Sequence, residues 1–525
     1  MLKTFFKISL KSSLKTLIKT HCFFVLLLLA VLTVTAKAQT NPNTTPQKTT
    51  HQKTIPTLGK FEDTVRNYAY RSLNDPPIPG CSLFVGSSSF ALWGKKLETI
   101  FAEYDAVNRG FGGSNFAQNI NALERIHLPY KPARVIIFCG TNDIAQGTDV
   151  ETVFRHFKYY IARHWNANPL AEIYFVSTSH APVREKFWRQ GDELCSKVQE
   201  LALKTKGLFY IDVITPMNGD DGKVRENLFI KDRLHLNEDG YAIWTEAFKK
   251  VFETQNKIRT KTDIRELFQN RKNLGLFDDP RFAEDGIAIN IPPAVDTKLN
   301  IVFIGDSITI GGGEKSPAAR CAEYLKQQAG VSDVEFSNQG VSGLTTVDFL
   351  PSKNKQFPKI LETANQFKND SSGQLLFSIM LGTNDSAVTG TNGSPVSPED
   401  YRRNLKEIVD RLLKDYPDSK IVLHRPIWYS DTTQNNATYL LEGQLRVTVY
   451  ALEIQSLVDF YSRTPDKTRI FLGDTKAYNY FKTHHESAMR HETGNKGTFF
   501  LHPNDRGADV LGRFWGATIL ESVLK

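Results

Sequence analysis

The hydrophobic pattern of the chain repeats one alternation twice, with short apolar runs typical of buried strands and longer amphipathic stretches typical of helices. In the first half, the strand-like runs are Ser82–Val85, Arg134–Phe138, Ile173–Ser177 and Leu208–Val213. Glu151–Trp165 is one of the amphipathic stretches between them. Near-continuous apolar strands that alternate with helices predict a parallel sheet covered by helices on both faces.

The alternation stops between about residues 255 and 297 and then begins again. The strand-like runs of the second half are Asn300–Ile304, Gln374–Met380, Lys420–Leu423 and Arg469–Leu472, with a predicted helix at Tyr401–Tyr416. Residues 257–274 are predicted as a basic helix, and Ile291-Pro292-Pro293 ends the linker. The order of elements indicates an internal duplication. We therefore predict an α/β chain of two tandem three-layer α/β/α domains, residues 58–256 and 298–525, joined by a linker at 257–297.

The first 57 residues differ in composition from the rest. Five lysines precede the apolar run Phe23–Val34, and Ala36-Lys37-Ala38 offers the small residues that an export peptidase reads. The run is shorter than the ~20 apolar residues of a spanning helix, so we expect a signal peptide at residues 1–38 rather than a membrane anchor. Polar residues 39–57 are expected to be a flexible tether. The protein is therefore predicted to be exported, periplasmic or secreted, without membrane insertion after cleavage.

Charge and cysteine content narrow the range of partners. The formal net charge is +8, but residues 1–38 carry six lysines and no acidic residue, which leaves about +2. This balance gives no reason to expect nucleic acid or a membrane surface as a partner. The cysteines at 81, 139, 195 and 321 are too widely spaced to indicate a disulfide framework or a metal cluster. His484, His485 and His491 fit no common zinc spacing, so we expect no metal and no cofactor.

Polar, glycine-containing segments follow corresponding strands in the two halves. The pairs are Gly86–Ser89 with Gly305–Ile308, Asn108–Gly113 with Asn338–Gly343, Gly140–Asp143 with Gly382–Asp385, and Asp232–Asn237 with Leu501–Asn504. Ligands of an open parallel sheet bind at the carboxyl ends of its strands. Four segments that are separate in sequence are therefore expected to converge on one crevice in each half.

Each of these segments supplies a group that acyl transfer needs. A serine at the start of a helix lies in a partly positive field, and a glycine lets a backbone N–H approach an oxyanion. An asparagine adds a second donor, and losing one such donor typically costs ~10²–10³ in rate. A histidine can take the serine proton, and an aspartate can hold its tautomer. The same order of motifs in both halves makes chance assembly improbable.

The segments resemble the SGNH, or GDSL-type, hydrolase superfamily twice, over about residues 78–253 and 298–525. The resemblance implies a flavodoxin-like fold and ester hydrolysis through a Ser-His acyl-enzyme mechanism. It implies that the first site comprises Ser88, Gly113, Asn142, Asp232 and His235. It implies that the second comprises Ser307, Gly343, Asn384 and His502. Neither half has the G-x-S-x-G elbow, which disfavours the α/β-hydrolase variant.

Two departures from the family pattern bear on the sites. Ser87 replaces the usual Asp beside the nucleophile, and the first copy resembles platelet-activating-factor acetylhydrolase-like esterases. In the second copy, Phe499 stands three residues before His502, where the family has Asp. We expect a backbone carbonyl near Phe499 to orient the imidazole of His502, with Asp505 and Glu492 as alternatives.

The substrate prediction rests on further resemblance of the second copy to bacterial sialate O-acetylesterases. The matching segments are Met380–Ser386, Leu423–Tyr429 and Thr498–Asn504. The resemblance implies removal of O-acetyl groups from sialic acid. Arg425 and Trp428 are candidate substrate-binding residues, because an arginine can pair with a sialate carboxylate, and Arg109 and Arg184 are candidates in the first copy. Burial in the core is the structural alternative for these side chains.

Three other functions stay open at this point. The chain could be an acetyl esterase acting on a plant-type polysaccharide, or a lipid or thioester hydrolase. It could also combine one active domain with a degenerate second copy that only binds carbohydrate, which the missing Asp before His502 would explain.

Overall fold

Two five-stranded parallel sheets form the framework of the protein. The computed structural model describes residues 58–258, 263–369 and 373–523, so the predicted signal peptide and tether lie outside the described residues. The first sheet contains β1 (Ser82–Gly86), β2 (Ala106–Asn108), β3 (Arg134–Phe138), β4 (Glu172–Val176) and β5 (Leu208–Ile211). The second contains β6 (Thr297–Gly305), β7 (Val331–Gly340), β8 (Gly373–Met380), β9 (Lys420–Leu423) and β10 (Ile470–Leu472). A separate antiparallel hairpin consists of β11 (Glu492–Gly494) and β12 (Gly497–Phe499).

The two sheets have the same topology. The strand order is β2-β1-β3-β4-β5 in the first sheet and β7-β6-β8-β9-β10 in the second. In both, the first strand of the domain therefore lies between the second and third. This agreement confirms the predicted fold class and the internal duplication.

Helices cover both faces of each sheet. In the first half they are α1 (Glu62–Asn74), α2 (Ser88–Ile100), α3 (Phe116–Ile126), α4 (Thr141–Ala145), α5 (Val150–Ala167), α6 (Trp188–Lys204), α7 (Glu238–Ile258), α8 (Ile264–Asn273) and α9 (Arg281–Glu284). In the second half they are α10 (Ser307–Ile310), α11 (Pro317–Lys326), α12 (Phe357–Asn369), α13 (Pro398–Asp415), α14 (Leu440–Tyr461), α15 (Ala477–Ala488) and α16 (Asp505–Val523).

Burial on both faces explains the continuous apolar strands of the sequence. On β1, Leu83 and Val85 pack into one core cluster and Phe84 packs into the cluster on the opposite face. Phe303 and Val302 are divided in the same way in the second domain. Because successive strand side chains alternate between faces, a strand covered on both sides needs an apolar residue at every position.

The segment predicted as a linker packs against the first domain. Leu276 and Phe282 belong to the core of that domain, and Arg271 is almost fully buried with its guanidinium 4.0 Å from the ring centroid of Trp165. The single helix expected over residues 257–274 is divided, because α7 ends at Ile258 and Asp263 caps a new helix, α8. The side chain of Asp263 accepts a hydrogen bond of 2.8 Å from the backbone N–H of Arg265.

Charged residues join the two domains. Asp105 of the first domain pairs with Arg506 and with Arg513, whose Nη1 lies 2.6 Å from its carboxylate. His484 pairs with Asp75 at 2.7 Å, so this histidine contributes to the domain contact.

Several features expected from composition can be checked in the described part of the chain. The cysteines at 81, 139, 195 and 321 are buried and form no disulfide. Within residues 58–258, 263–369 and 373–523, no group of three or more His, Cys, Asp or Glu side chains is placed to hold a metal ion. No helix in those ranges is long and apolar enough to cross a membrane.

Candidate active sites

The first crevice is built around the turn between β1 and α2. Gly86 ends β1 with φ of +132°, and a Cβ there would lie 1.9 Å from the carbonyl oxygen of Phe138. A glycine is therefore required where the chain turns against the end of β3. Ser88 follows as the first residue of α2. Its Oγ lies 2.8 Å from Nε2 of His235, although the two residues are 147 positions apart.

Asp232 completes a relay of hydrogen-bonded side chains that runs from Ser88 through His235 to a carboxylate. Its Oδ2 lies 2.6 Å from Nδ1 of His235, and its Oδ1 accepts hydrogen bonds from the backbone N–H groups of Leu234 and His235 at 2.9 and 3.0 Å. Desolvation raises the pKa of Asp232, but the backbone and side-chain hydrogen bonds of His235 outweigh it and lower the pKa to about 2. An ionised carboxylate at this place fixes the imidazole tautomer whose Nε2 can accept the serine proton.

Gly113 lies on the loop after β2, and Asn142 lies in α4, the short helix after β3. Gly113 has φ of +79°, which leaves its loop in a conformation that favours glycine. Nδ2 of Asn142 donates to the carbonyl of Ser114 at 3.0 Å, and Asn142 lines the same crevice as Ser88 and His235. Asp143 joins α4 to the start of α3, because its carboxylate accepts the backbone N–H of Phe116 at 3.0 Å. Burial raises the pKa of Asp143 to about 6.

The second crevice repeats this geometry. Ser307 begins α10 directly after β6 and Asp306. Its Oγ lies 2.9 Å from Nε2 of His502. The structure corrects the expected partner of the imidazole, because Nδ1 of His502 lies 2.9 and 3.0 Å from the two carboxylate oxygens of Glu492. The expectation that a backbone carbonyl near Phe499 fills this place is therefore wrong.

The β11–β12 hairpin brings Glu492 to the imidazole. Glu492 is paired with Phe499 across the hairpin, and the chain then runs three residues further to His502. The backbone N–H of His502 also donates to Glu492, at 3.1 Å. Burial raises the pKa of Glu492, but the hydrogen bonds and charge of His502 produce a net lowering. Glu492 was among the sequence alternatives, and the signal that singles it out is the pairing of two very short strands.

The oxyanion-type donors of the second crevice match those of the first. Gly343 has φ of +77°, and Nδ2 of Asn384 donates to the carbonyl of Leu344 at 2.9 Å. Asp385 joins the two loops by accepting the backbone N–H of Thr346 at 3.0 Å. Burial raises the pKa of Asp385 to about 7.

Three candidate substrate-binding residues pack against neighbouring side chains of their own domains. Arg109 is buried, and its Nε donates to Tyr130 Oη at 3.0 Å. Arg425 stacks its guanidinium 3.7 Å from the ring centroid of Tyr478, and Trp428 is buried beside His485. The residues that line the two crevices in the described part of the chain do not include these three. Each of the three side chains makes local packing contacts, and its binding role stays a prediction.

The two crevices have different walls. The first encloses about 40 Å³. Its apolar and aromatic lining residues are Phe138, Ile144, Ala181, Phe187, Trp188 and Leu234. The second encloses about 260 Å³ and has the charged residues Lys315, Arg490, Glu492 and Asp505 in its wall. Arg184, another sequence candidate, lines the first crevice.

Comparison with known proteins agrees with this geometry. The sequence model of the GDSL-like lipase/acylhydrolase family matches residues 80–243 and 303–510, which together are well over half of the chain. The chain belongs to the GDSL-like lipase/acylhydrolase family. It contains two tandem SGNH copies and is a carboxylic ester hydrolase. No curated protein matches the chain significantly in sequence.

Solved structures of GDSL-type proteins resemble one copy at a time. A GDSL-like lipase from Bacteroides thetaiotaomicron is 18% identical and covers 36% of this chain and 97% of its own, with a TM-score of 0.31. A carbohydrate acetylesterase from Sinorhizobium meliloti is 16% identical and covers 42% and 99%, with a TM-score of 0.30. An aryl esterase from M. smegmatis is 17% identical and covers 43% and 100%, with a TM-score of 0.30.

Proposed function

We propose that this GDSL-family hydrolase is an exported carbohydrate O-acetylesterase with two working active sites. The observation that carries the proposal is the complete Ser–His–carboxylate relay in both crevices. The Oγ–Nε2 distances are 2.8 Å for Ser88 and 2.9 Å for Ser307. Because Glu492 supplies the carboxylate of the second relay, the reason for treating the second copy as a degenerate binding module disappears.

In the proposed reaction, each site uses the same two chemical steps. Oγ of Ser88 or Ser307 attacks the acetyl carbonyl carbon, and the histidine takes the hydroxyl proton. The bond to the sugar oxygen then breaks, and the histidine returns the proton to that oxygen. Water hydrolyses the acyl-enzyme to acetate by the same route. The glycine N–H, the asparagine amide and the serine N–H stabilise the oxyanion of each tetrahedral intermediate.

The size of the first cavity supports a short acyl group. A cavity needs about 10–15 Å³ for one water molecule. The space of about 40 Å³ beside Ser88 therefore holds roughly three water-sized groups, which suits the three heavy atoms of acetyl. Phe138 and Trp188 line this space, and we expect them to favour a short acyl group over a lipid chain.

The sialate assignment belongs to the second site. Its support is the resemblance of Met380–Ser386 and Thr498–Asn504 to sialate O-acetylesterases, together with the wide, charged crevice that contains Lys315 and Arg490. The guanidinium of Arg490 in this wall is a candidate partner for the carboxylate of such a sugar. The proposal of export rests on the sequence of residues 1–38.

Serine variants on an ester panel test the proposal. We expect Ser88→Ala and Ser307→Ala each to remove one of two activities on acetylated sialoglycans or acetylated plant polysaccharides, and the double variant to remove both. Ser89→Ala is the matched control, since Ser89 is the neighbouring serine but lies outside the relay. A nitrophenyl ester series from acetyl to decanoyl should favour the shortest esters. Full activity of the double variant, or preference for the longest esters, would overturn the proposal.

A further inference from the structure

The catalytic asparagine in each crevice is held by a second residue. An asparagine amide can present either its NH₂ or its oxygen to a substrate, and only the NH₂ stabilises an oxyanion. In the first crevice, Nη2 of Arg184 donates to Oδ1 of Asn142 at 3.1 Å. In the second, Oη of Tyr439 donates to Oδ1 of Asn384 at 2.6 Å.

The remaining hydrogen bonds of both amides complete the orientation. One N–H of Asn142 is used by the carbonyl of Ser114, and one N–H of Asn384 is used by the carbonyl of Leu344. With Oδ1 also paired, the second N–H of each amide has no hydrogen-bond partner among the described residues. A flipped amide would place its NH₂ against a donor and its oxygen against the developing negative charge.

Arg184 and Tyr439 occupy corresponding connections in the two domains. Arg184 lies between β4 and α6, and Tyr439 lies between β9 and α14. In both domains this is the connection after the fourth strand of the sheet. Two chemically different residues thus make the same contact to equivalent asparagines.

We propose that Arg184 and Tyr439 are positioning residues that keep the amide N–H of Asn142 and Asn384 directed at the oxyanion. This inference rests on the proposed function of the two sites. Arginine has five donors and no acceptor, whereas a tyrosine hydroxyl can donate or accept. Arg184 therefore excludes the flipped amide more strictly than Tyr439 does.

Substitutions that remove only the donor test the inference. Arg184→Met keeps most of the length of the side chain, and Tyr439→Phe removes one hydroxyl. We expect kcat for nitrophenyl acetate at the affected site to fall about tenfold or more for Arg184→Met and less for Tyr439→Phe, with KM within twofold. An interaction used only in the transition state lowers kcat rather than raising KM. Each variant is measured with the serine of the other site replaced by alanine.

A double-mutant cycle separates positioning from general structural damage. In an Asn142→Ala background, Arg184→Met should cost nothing further, because no amide remains to orient, and the same holds for Tyr439→Phe in Asn384→Ala. Arg189→Met, which removes an exposed cation five residues along, is the control for Arg184. Tyr429→Phe is the control for Tyr439, since its hydroxyl bonds Ser386 instead. Additive losses, or a raised KM with unchanged kcat, would overturn the inference.

Labelling by a fluorophosphonate keeps this inference separate from the proposed function. Serine Oγ attacks phosphorus, fluoride leaves, histidine takes the proton, and the phosphonyl oxygen occupies the oxyanion position. The labelling rate of Ser88 should fall in Arg184→Met while that of Ser307 is unchanged, which also shows that the chain is folded. Equal labelling of Ser88 in the variant and the wild type would overturn the positioning role. No labelling of either serine in the wild type would overturn the proposed function.

Discussion

The two crevices of the chain agree in their relay and differ in where the carboxylate comes from. In the first, Asp232 lies three residues before His235 on one loop. In the second, Glu492 lies ten residues before His502 and reaches it from a hairpin. The distances from Nδ1 to the nearest carboxylate oxygen are nevertheless 2.6 and 2.9 Å. Both sites therefore share the position of a carboxylate oxygen relative to Nδ1 of the histidine. They share neither the type of acidic residue nor the backbone structure that carries it.

The walls of the crevices diverge much further than their relays. The first is narrow and carries Phe187 and Trp188, and the second is wider and carries Lys315 and Arg490. These wall residues come from different connections, because Phe187 and Trp188 follow β4, whereas Lys315 follows β6 and Arg490 follows β10. A duplicated scaffold can thus keep one acyl-transfer chemistry while the connections alter what reaches it.

The largest predicted effect tests whether the two carboxylates are equivalent. Asp232→Asn and Glu492→Gln keep the shape of each side chain but favour the wrong imidazole tautomer. We expect each to lower kcat at its own site by about 10³–10⁴, measured with nitrophenyl acetate in the background that lacks the other serine.

Asp505→Asn is the matched control for this prediction. Asp505 lines the second crevice but pairs with Lys315 at 2.6 Å, and in the described structure it is not hydrogen-bonded to the imidazole of His502. We expect less than a threefold change in kcat, as for a surface ion pair. A comparable loss in Asp505→Asn, or a small loss in Glu492→Gln, would mean that the second site does not use the relay described above.

The two carboxylates also differ in how far the sequence could predict them. The apolar runs do not indicate β2 or β7. The parallel sheet of each half, both serines, both histidines and Asp232 follow from such runs and from motifs at strand ends. Glu492 does not, because its approach to His502 depends on the pairing of β11 with β12, whose three residues each carry little sequence signal.

The two predicted substrate-binding arginines show a related limit of the sequence. Arg109 and Arg425 follow strands, as a crevice residue would, yet Arg109 bonds Tyr130 under its loop and Arg425 stacks on Tyr478. Whether a long side chain turns toward the crevice or lies beneath a loop is decided by tertiary partners. The position of a residue after a strand carries no such information.

The prediction with an intermediate effect concerns a substitution that would widen the first crevice, as the second crevice is wide. Trp188→Ala removes a large side chain from the wall beside Ser88. We expect kcat/KM for butyryl and hexanoyl esters to rise about tenfold relative to acetyl, because each added methylene in an apolar pocket is worth about 1–3 kcal/mol. The measurement uses a Ser307→Ala background, with acetyl ester activity as the control for folding. An unchanged ratio would show that Trp188 does not limit the acyl group.

The smallest predicted effect concerns the residue before each nucleophile. Asp306 is fully buried and its carboxylate accepts the backbone N–H of Ile308 at 3.0 Å. Burial raises the pKa of Asp306 from 3.8 to about 6. The first domain has Ser87 at this place, which does not titrate.

Asp306 should therefore make the stability of the second domain depend on pH in a defined direction. The folded state holds this proton more tightly than the unfolded state, so its contribution to stability is complete below about pH 3.8 and is lost as the pH rises through about 6.

Asp306→Asn keeps a capping oxygen and removes the titration. Its melting temperature should fall less than that of the wild type between pH 4 and pH 7. The difference should be a few °C, since about 1 kcal/mol shifts Tm by about 2–4 °C in a domain of this size. Ser87→Asn is the control and should leave the pH dependence unchanged. If Asp306→Asn instead retains the full wild-type slope, the titration belongs to another buried carboxylate such as Asp385, whose pKa burial raises to about 7.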